Sequence, residues 1–375
     1  CALSEAKGMD MNMMIPLVKP YIAPREEMMP AIEKILYSGY IAEGQAVYDF
    51  EDELKDFIGN RNLLAVNSGT AALHIALSLL NIKEGDEVIS TAMTAEPTNT
   101  TIALTGAKIV WGDVDERTGL LSPESVKEKI TERTKAIMLV HYAGMVCNMD
   151  VFNKISKEYN IPIIEDAAHA FGSKYNSNIV GCNSRFTCYS FQAIKQLTTV
   201  DGGALAFSNE EDMMAARKLR WFGLDKKVSR LENDITRPGY KYGMNNVNAT
   251  IGSVQLRNSN EVLARYISNG KYYDNELIGT SGVTLISYYE HTEPSYWLYT
   301  MKVENRDDFI KMMEANGITA SPLHHRSDTH SVFAKSKCEL PGLDKFYSEF
   351  VHIPCGWWVS DEERERIVDV IKKGW

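Results

Sequence analysis

Three short segments of the chain carry groups that could act together. The first is Ser190-Phe191-Gln192-Ala193-Ile194-Lys195, followed by Thr198, Thr199 and the pair Gly202-Gly203. A lysine set between an apolar strand and a glycine turn is poised over a crevice, where its amine can serve as a nucleophile. Taken alone, one lysine among 40 Lys and Arg reads as a solvated surface charge. The second segment is Ile163-Ile164-Glu165-Asp166-Ala167-Ala168-His169, a buried strand ending in two acids and a histidine. Asp166 is either a helix N-cap or a carboxylate held at a strand end to pair with a cationic ring nitrogen. The third is Asn67-Ser68-Gly69-Thr70, between a strand and a helix. Gly69 permits close backbone approach, and free N–H groups at the helix start suit a phosphate. Small residues serving only as an N-cap are the alternative.

The elements around these segments alternate. Short apolar runs at residues 63–66, 87–90, 108–111, 136–140, 161–164, 188–191 and 204–207 read as seven strands. Helical patterns lie between them, for example at 71–80 and 98–105, and two more precede the first strand at 23–37 and 47–58. Strands alternating with helices give an α/β fold with a mostly parallel sheet flanked by helices. Ligands of such sheets sit beyond the carboxyl ends of the strands, so the three segments converge on one crevice. The character changes after residue 250. One long helix is expected at 251–273, a strand at 296–303, and helices at 307–315 and 360–373. The expected organisation is therefore a disordered or expression-derived leader at 1–14, a large domain at 15–250 and a smaller α+β C-terminal domain at 251–375. Residues 226–238 are charged and pattern-poor, as in a mobile surface loop.

Bulk properties narrow the functional classes. With 44% hydrophobic and 24% charged residues, the 375-residue chain has ordinary globular composition. A net charge of −10 leaves no broad basic footprint for nucleic acid. No apolar run reaches the roughly 18 residues that span a bilayer. Residues 1–10 lack the apolar core of a secretory signal. Six cysteines without a Cys-x-x-Cys pair read as free thiols of a cytoplasmic protein.

The sequence resembles the DegT/DnrJ/EryC1/StrS sugar aminotransferases, pyridoxal-phosphate (PLP) enzymes of fold type I. The resemblance runs from about residue 15 to 373. It is carried by 67–73 (NSGTAAL), 165–172 (EDAAHAFG), 190–195 (SFQAIK) with Gly202-Gly203, and 239–252 (GYKYGMNNVNATIG). It implies a large domain with a seven-stranded sheet and a homodimer with shared active sites. Lys195 would hold PLP as a Schiff base, with Asp166 against the ring nitrogen and His169 beside the cofactor hydroxyl. Ser68, Gly69, Thr70 and Ser190 would take the phosphate. Free lysine titrates at about 10.4, so burial or a nearby positive charge must keep Lys195 reactive. The carboxylate keeps the ring protonated as an electron sink, and freed Lys195 can shuttle a proton. The implied reaction moves an amino group from glutamate to a keto-sugar, usually nucleotide-linked, for amino-sugar and polysaccharide biosynthesis. Competing readings are a sugar dehydratase of the same family, in which histidine replaces the lysine, and a transaminase acting on a sugar acid or a phosphorylated carbonyl compound. A PLP-sensing regulator would need a DNA-binding module, and no segment of that size is left over.

Two departures from the family pattern stand out. Lys241 occupies the place of an asparagine that reaches the partner's cofactor phosphate, and Gly243 that of a frequent arginine. Ala95 occupies the place of an aromatic residue that stacks on the cofactor ring. In the C-terminal part, His324, His325, Asp328 and His330 cluster without the His-Glu-x-x-His spacing of a metal site, so no metal is expected. His324 and Arg326 are instead candidates for touching substrate, a solvated loop being the alternative. Tyr142, at a strand end, either lines the crevice or closes it. Trp357-Trp358 reads as small-domain packing.

Overall fold

A computed structural model describes residues 14–226 and 228–375. The leader expected at 1–14 therefore lies, Met14 excepted, outside the described residues. In chain order the strands are β1 (Leu63–Val66), β2 (Glu87–Thr91), β3 (Lys108–Gly112), β4 (Thr134–Val140), β5 (Ile163–Asp166), the two-residue β6 (Lys174–Tyr175) and β7 (Asn178–Ile179), β8 (Phe186–Ser190), β9 (Gly203–Phe207), β10 (Val283–Leu285), β11 (Thr292–Glu293), β12 (Tyr299–Val303) and β13 (Phe350–Ile353). The seven long strands of the first part form one sheet in the order β1-β9-β8-β5-β4-β2-β3. The β2–β3, β2–β4, β4–β5 and β5–β8 pairs are parallel, and β9 runs antiparallel to both of its neighbours. The carboxyl ends of β1, β8, β5, β4 and β2 therefore share one edge. The fold is thus PLP fold type I, with the mostly parallel seven-stranded sheet and flanking helices that the alternation implied.

Burial explains why the strands were so readable. β1, β2, β5 and β9 are buried at every position, as expected when helices cover both faces. Four of the helices begin at side-chain caps: Ser68, Ser122, Asn148 and Asn209 each accept from the backbone N–H of the third residue of the helix that follows. A second hydrophobic cluster joins β12 and β13 to the last helix, Asp361–Lys372, through Tyr299, Val351, Ile367 and Ile371. Ile15 belongs to it as well, through a bridge to Ile318.

The C-terminal part departs from expectation in two places. The single helix expected at 251–273 is two, Asn246–Arg257 and Ser259–Glu276. Asn258 breaks them: its side chain turns back to accept no cap bond and instead donates to Val254 O and Glu27 Oε2. Asparagine hydrogen bonds locally in this way in competition with the helix. Strands β10 and β13 were not anticipated. They flank β12 in a three-stranded antiparallel sheet. Trp357 and Trp358 donate their indole N–H groups to Lys19 O and Pro16 O, so they tie the C-terminal part to the segment expected to open the large domain, while Trp358 also packs against the second cluster as expected.

Candidate active site

The shared strand edge carries a cavity of about 350 Å³, a size typical of small-molecule sites. Eight of the sequence candidates line it: Ser68, Gly69, Thr70, Ala95, Asp166, His169, Ser190 and Lys195. They arrive from four places, the ends of β1, β5 and β8 and the turn before the helix Glu96–Leu104.

At the β1 end, Ser68 Oγ accepts from Ala71 N at 3.0 Å, which starts the helix Gly69–Leu79. The N–H groups of Gly69 and Thr70 have no intrahelical acceptor and open toward the cavity that these residues line. Glycine is required here by close approach. A Cβ on Gly69 would lie 2.8 Å from Ser190 Cβ, and one on Gly203 would lie 2.6 Å from the backbone carbon of Ser68. The two strand ends thus close into an anion cradle, with the Ser190 hydroxyl beside it.

At the β5 end, Asp166 is 4% exposed. Its Oδ1 accepts from Ala168 N at 3.0 Å and its Oδ2 from Thr98 Oγ1 at 2.7 Å. No helix follows Asp166, so it is not an N-cap. Burial pushes its pKa up, while Thr98, Ala168 and Lys195 oppose the rise. A buried carboxylate with two neutral donors and no cation hydrogen-bonded to it is costly; a cationic ring nitrogen would relieve it. Thr98 itself accepts from Thr94 Oγ1 at 2.7 Å, since its only proton is given to the carboxylate.

Lys195 emerges from a tight loop in which its N–H bonds Gln192 O at 2.9 Å and Phe191 N bonds Gly202 O at 2.8 Å. Burial lowers its pKa from the usual lysine range to about 7, with Asp166 working against that fall. Its amine is thereby close to half-neutral at physiological pH, as a reactive lysine requires. His169 is 3% exposed. It accepts from Ala143 N on Nδ1 at 3.4 Å and stacks on the ring of Trp297 at 4.0 Å, with the His324 ring nearly parallel to it 5.5 Å away. Burial holds it neutral, its pKa well below the usual histidine value.

The remaining candidates are placed differently. Lys241 does not line the cavity within one chain. Its carbonyl accepts from Asn67 Nδ2 at 3.2 Å, and its side chain is exposed. Tyr142 is 1% exposed and bonds His352 Nε2 at 3.1 Å, so it is packed inside, its ring edge against His169, and does not line the cavity. Arg326 is engaged twice over, by both oxygens of Asp328 at 2.8 Å and by Asp344. His324 stands against His169, its buried Nε2 has no partner, and burial lowers its pKa to about 4. Ala95 leaves the cavity without an aromatic side chain: all nineteen residues lining it are non-aromatic apart from His169. Thr98 and Trp297 were not foreseen. A threonine in a helical first turn and an aromatic just before a strand carry no distinctive signal.

Comparison with known proteins gives the family and confirms the fold. A family model described as the DegT/DnrJ/EryC1/StrS aminotransferase family matches residues 23–372. The chain is 32% identical to the uncharacterized protein MJ1066 of Methanocaldococcus jannaschii, covering 96% of this chain and 97% of that one. It superimposes on AtS13 of Actinomadura melliaura with a TM-score of 0.93, at 36% identity over 96% of this chain and 99% of that chain. The sugar aminotransferase CalS13 of Micromonospora echinospora also gives a TM-score of 0.93, at 34% identity over 96% and 100% of the two chains.

Proposed function

The chain belongs to the DegT/DnrJ/EryC1/StrS aminotransferase family, and we propose that it transfers an amino group from glutamate to a nucleotide-linked keto-sugar. It is a PLP-dependent aminotransferase. The observation that carries the reading is the single cavity in which Lys195, Asp166 and the Gly69–Ser190 cradle meet. The likeness to the sugar aminotransferase CalS13 supports the sugar acceptor.

The residues present fit the cofactor. Gly69, Thr70, Ser68 and Ser190 would hold its phosphate, Asp166 its ring nitrogen and Lys195 its reactive carbon. His169 would stand beside its hydroxyl. When bound, PLP supplies an electron sink that stabilises the carbanion formed during amino transfer. The rest is the work of the chain. Thr98 and Ala168 donate to Asp166 and so favour its ionised form against the burial that raises its pKa; the ionised form would keep a proton on the ring nitrogen it faces. Lys195 Nζ, titrating at about 7, takes up and returns a proton at low cost near neutral pH. Neutral His169 donates or accepts without adding charge beside the lysine. His324 remains a candidate for the acceptor because its buried Nε2 has no partner, although it does not line the cavity.

We further propose that the active unit is a homodimer in which Lys241 reaches the partner's phosphate. Tyr37, Tyr40 and Leu231 are exposed large hydrophobics, 86%, 79% and 97% accessible, which a partner subunit could cover. The large unit would end near residue 250, although Trp297, Leu298, Phe346 and Phe350 beyond it still belong to the first cluster, and the second gathers around β12, β13 and the last helix. Among the described residues all five cysteines are free, and no helix is long and apolar enough to cross a membrane. Free thiols fit a cytoplasmic setting.

Purified enzyme should be mixed with glutamate and a panel of keto-sugars, each with and without its nucleotide, and 2-oxoglutarate release followed. Turnover confined to nucleotide-linked acceptors is expected. Equal turnover of free sugars would remove the nucleotide from the proposal, and no turnover of any sugar would remove the sugar.

A further inference from the structure

Trp297 lies two residues before β12 begins and is 1% exposed. The Lys195 amine sits over the face of its ring, 3.8 Å from the centroid. The same indole stacks on His169 at 4.0 Å with an interplanar angle of 25°. It is pinned in that place. Its N–H donates to Ile194 O, the carbonyl next to Lys195, at 2.9 Å. Its own backbone is held by the adjacent Leu298 N to Ala143 O bond at 3.3 Å, and Gln196 Nε2 bonds Ser295 O at 2.8 Å. Indole and lysine loop are thus tied to each other by hydrogen bonds, and the ring face is presented to the amine.

A ring face attracts a cation through its quadrupole, most strongly where water is excluded. It offers nothing comparable to a neutral amine. We propose that Trp297 is the docking face for Lys195 whenever its amine is free, holding the ammonium and setting its proton affinity during the proton transfers. Trp297 is thus a positioning residue that acts through Lys195. The other groups facing this amine are Asp166 from the end of β5, which favours the proton, and His169 and His324, which as cations would disfavour it. The inference rests on Lys195 being the cofactor-bearing lysine.

The test uses enzyme loaded with pyridoxamine phosphate, in which Lys195 is free, and the same enzyme loaded with PLP. Trace acetic anhydride labels neutral amines, and mass spectrometry of the Lys195 peptide across a pH series gives the midpoint. Trp297 is replaced by mono-, di- and trifluorotryptophan through nonsense suppression, which weakens the quadrupole with little change of shape. The midpoint should fall stepwise, by roughly one unit in all, so that labelling well below it rises roughly ten-fold. Trp297→Leu should fall at least as far and Trp297→Phe less. An unshifted midpoint through the fluorinated series, with Lys195 still protected in the PLP-loaded enzyme, overturns the inference. Equal labelling of Lys195 in both loaded forms would instead overturn its role as the cofactor-bearing lysine.

Discussion

Thr98→Val isolates the side-chain hydrogen bond that favours the charged form of Asp166. Thr98 Oγ1 donates to Asp166 Oδ2 at 2.7 Å, both residues are buried, and the helix that carries Thr98 is fixed by Asn99, which bonds Ser90 and the carbonyl of Thr91. Valine fills nearly the same space but donates nothing. A bond to a charged group contributes about 1.5–3 kcal/mol and one to a neutral group about 0.5–1.5 kcal/mol. The difference, about 1–1.5 kcal/mol, should raise the Asp166 pKa by about one unit. The folded-state pKa of Asp166 is already raised by burial. Between the unfolded carboxylate value and that raised value, the folded cofactor-free protein binds more protons than the unfolded chain, so it loses stability as pH rises. In the variant this loss continues to higher pH. Thermal midpoints of cofactor-free parent and variant should therefore differ least at acid pH, where Asp166 is protonated in both, and most above the variant's pKa, where the gap grows by about 1.4 kcal/mol. Cofactor affinity should fall between the parent's and the variant's pKa, where Asp166 is charged in the parent and protonated in the variant. A gap independent of pH would show that Thr98 supports packing alone and does not hold the charge.

Three further outcomes follow from the cavity. Gly69→Ala forces a Cβ to within 2.8 Å of Ser190 Cβ; overpacking of this kind costs about 1–3 kcal/mol, so equilibrium titration should show PLP binding weakened roughly 5- to 150-fold, and parent-like affinity would dissolve the cradle. Ala95→Phe should keep PLP, with a stacking gain of about 0.5–1.5 kcal/mol, and lose acceptor turnover; a variant that turns over acceptor like the parent makes Ala95 a neutral departure. Lys241→Ala should weaken PLP binding in the dimer roughly ten-fold, as for loss of one charge-assisted bond, and a liganded structure with this amine far from any phosphate would contradict the shared site.

The sheet was legible because its strands are short runs of Ile, Val, Leu and Ala buried on both faces, such as Leu63–Val66 and Gly203–Phe207. The three site segments were legible because small residues, acids and one lysine follow directly on those runs. The rest depended on contacts remote in sequence. Arg326 looked available to substrate until Asp344, eighteen positions on, was seen to engage it. Tyr142 stands at a strand end as expected, but it bonds His352, 210 positions away, and does not line the cavity. Phe350–Ile353 is as apolar as the strands that were found, yet one short run among loops does not declare its pairing with β12. Trp297 illustrates the same point: only the fold brings its ring over the amine of Lys195.

The central claim is that Lys195 carries the cofactor. Borohydride reduction of the PLP-loaded enzyme, digestion and peptide mass spectrometry locate the attachment directly. The account predicts cofactor mass on the peptide containing Lys195, and its disappearance when glutamate is added before the borohydride. Cofactor mass on a different lysine, or a Lys195→Ala variant that keeps the visible absorbance and full turnover, would contradict it.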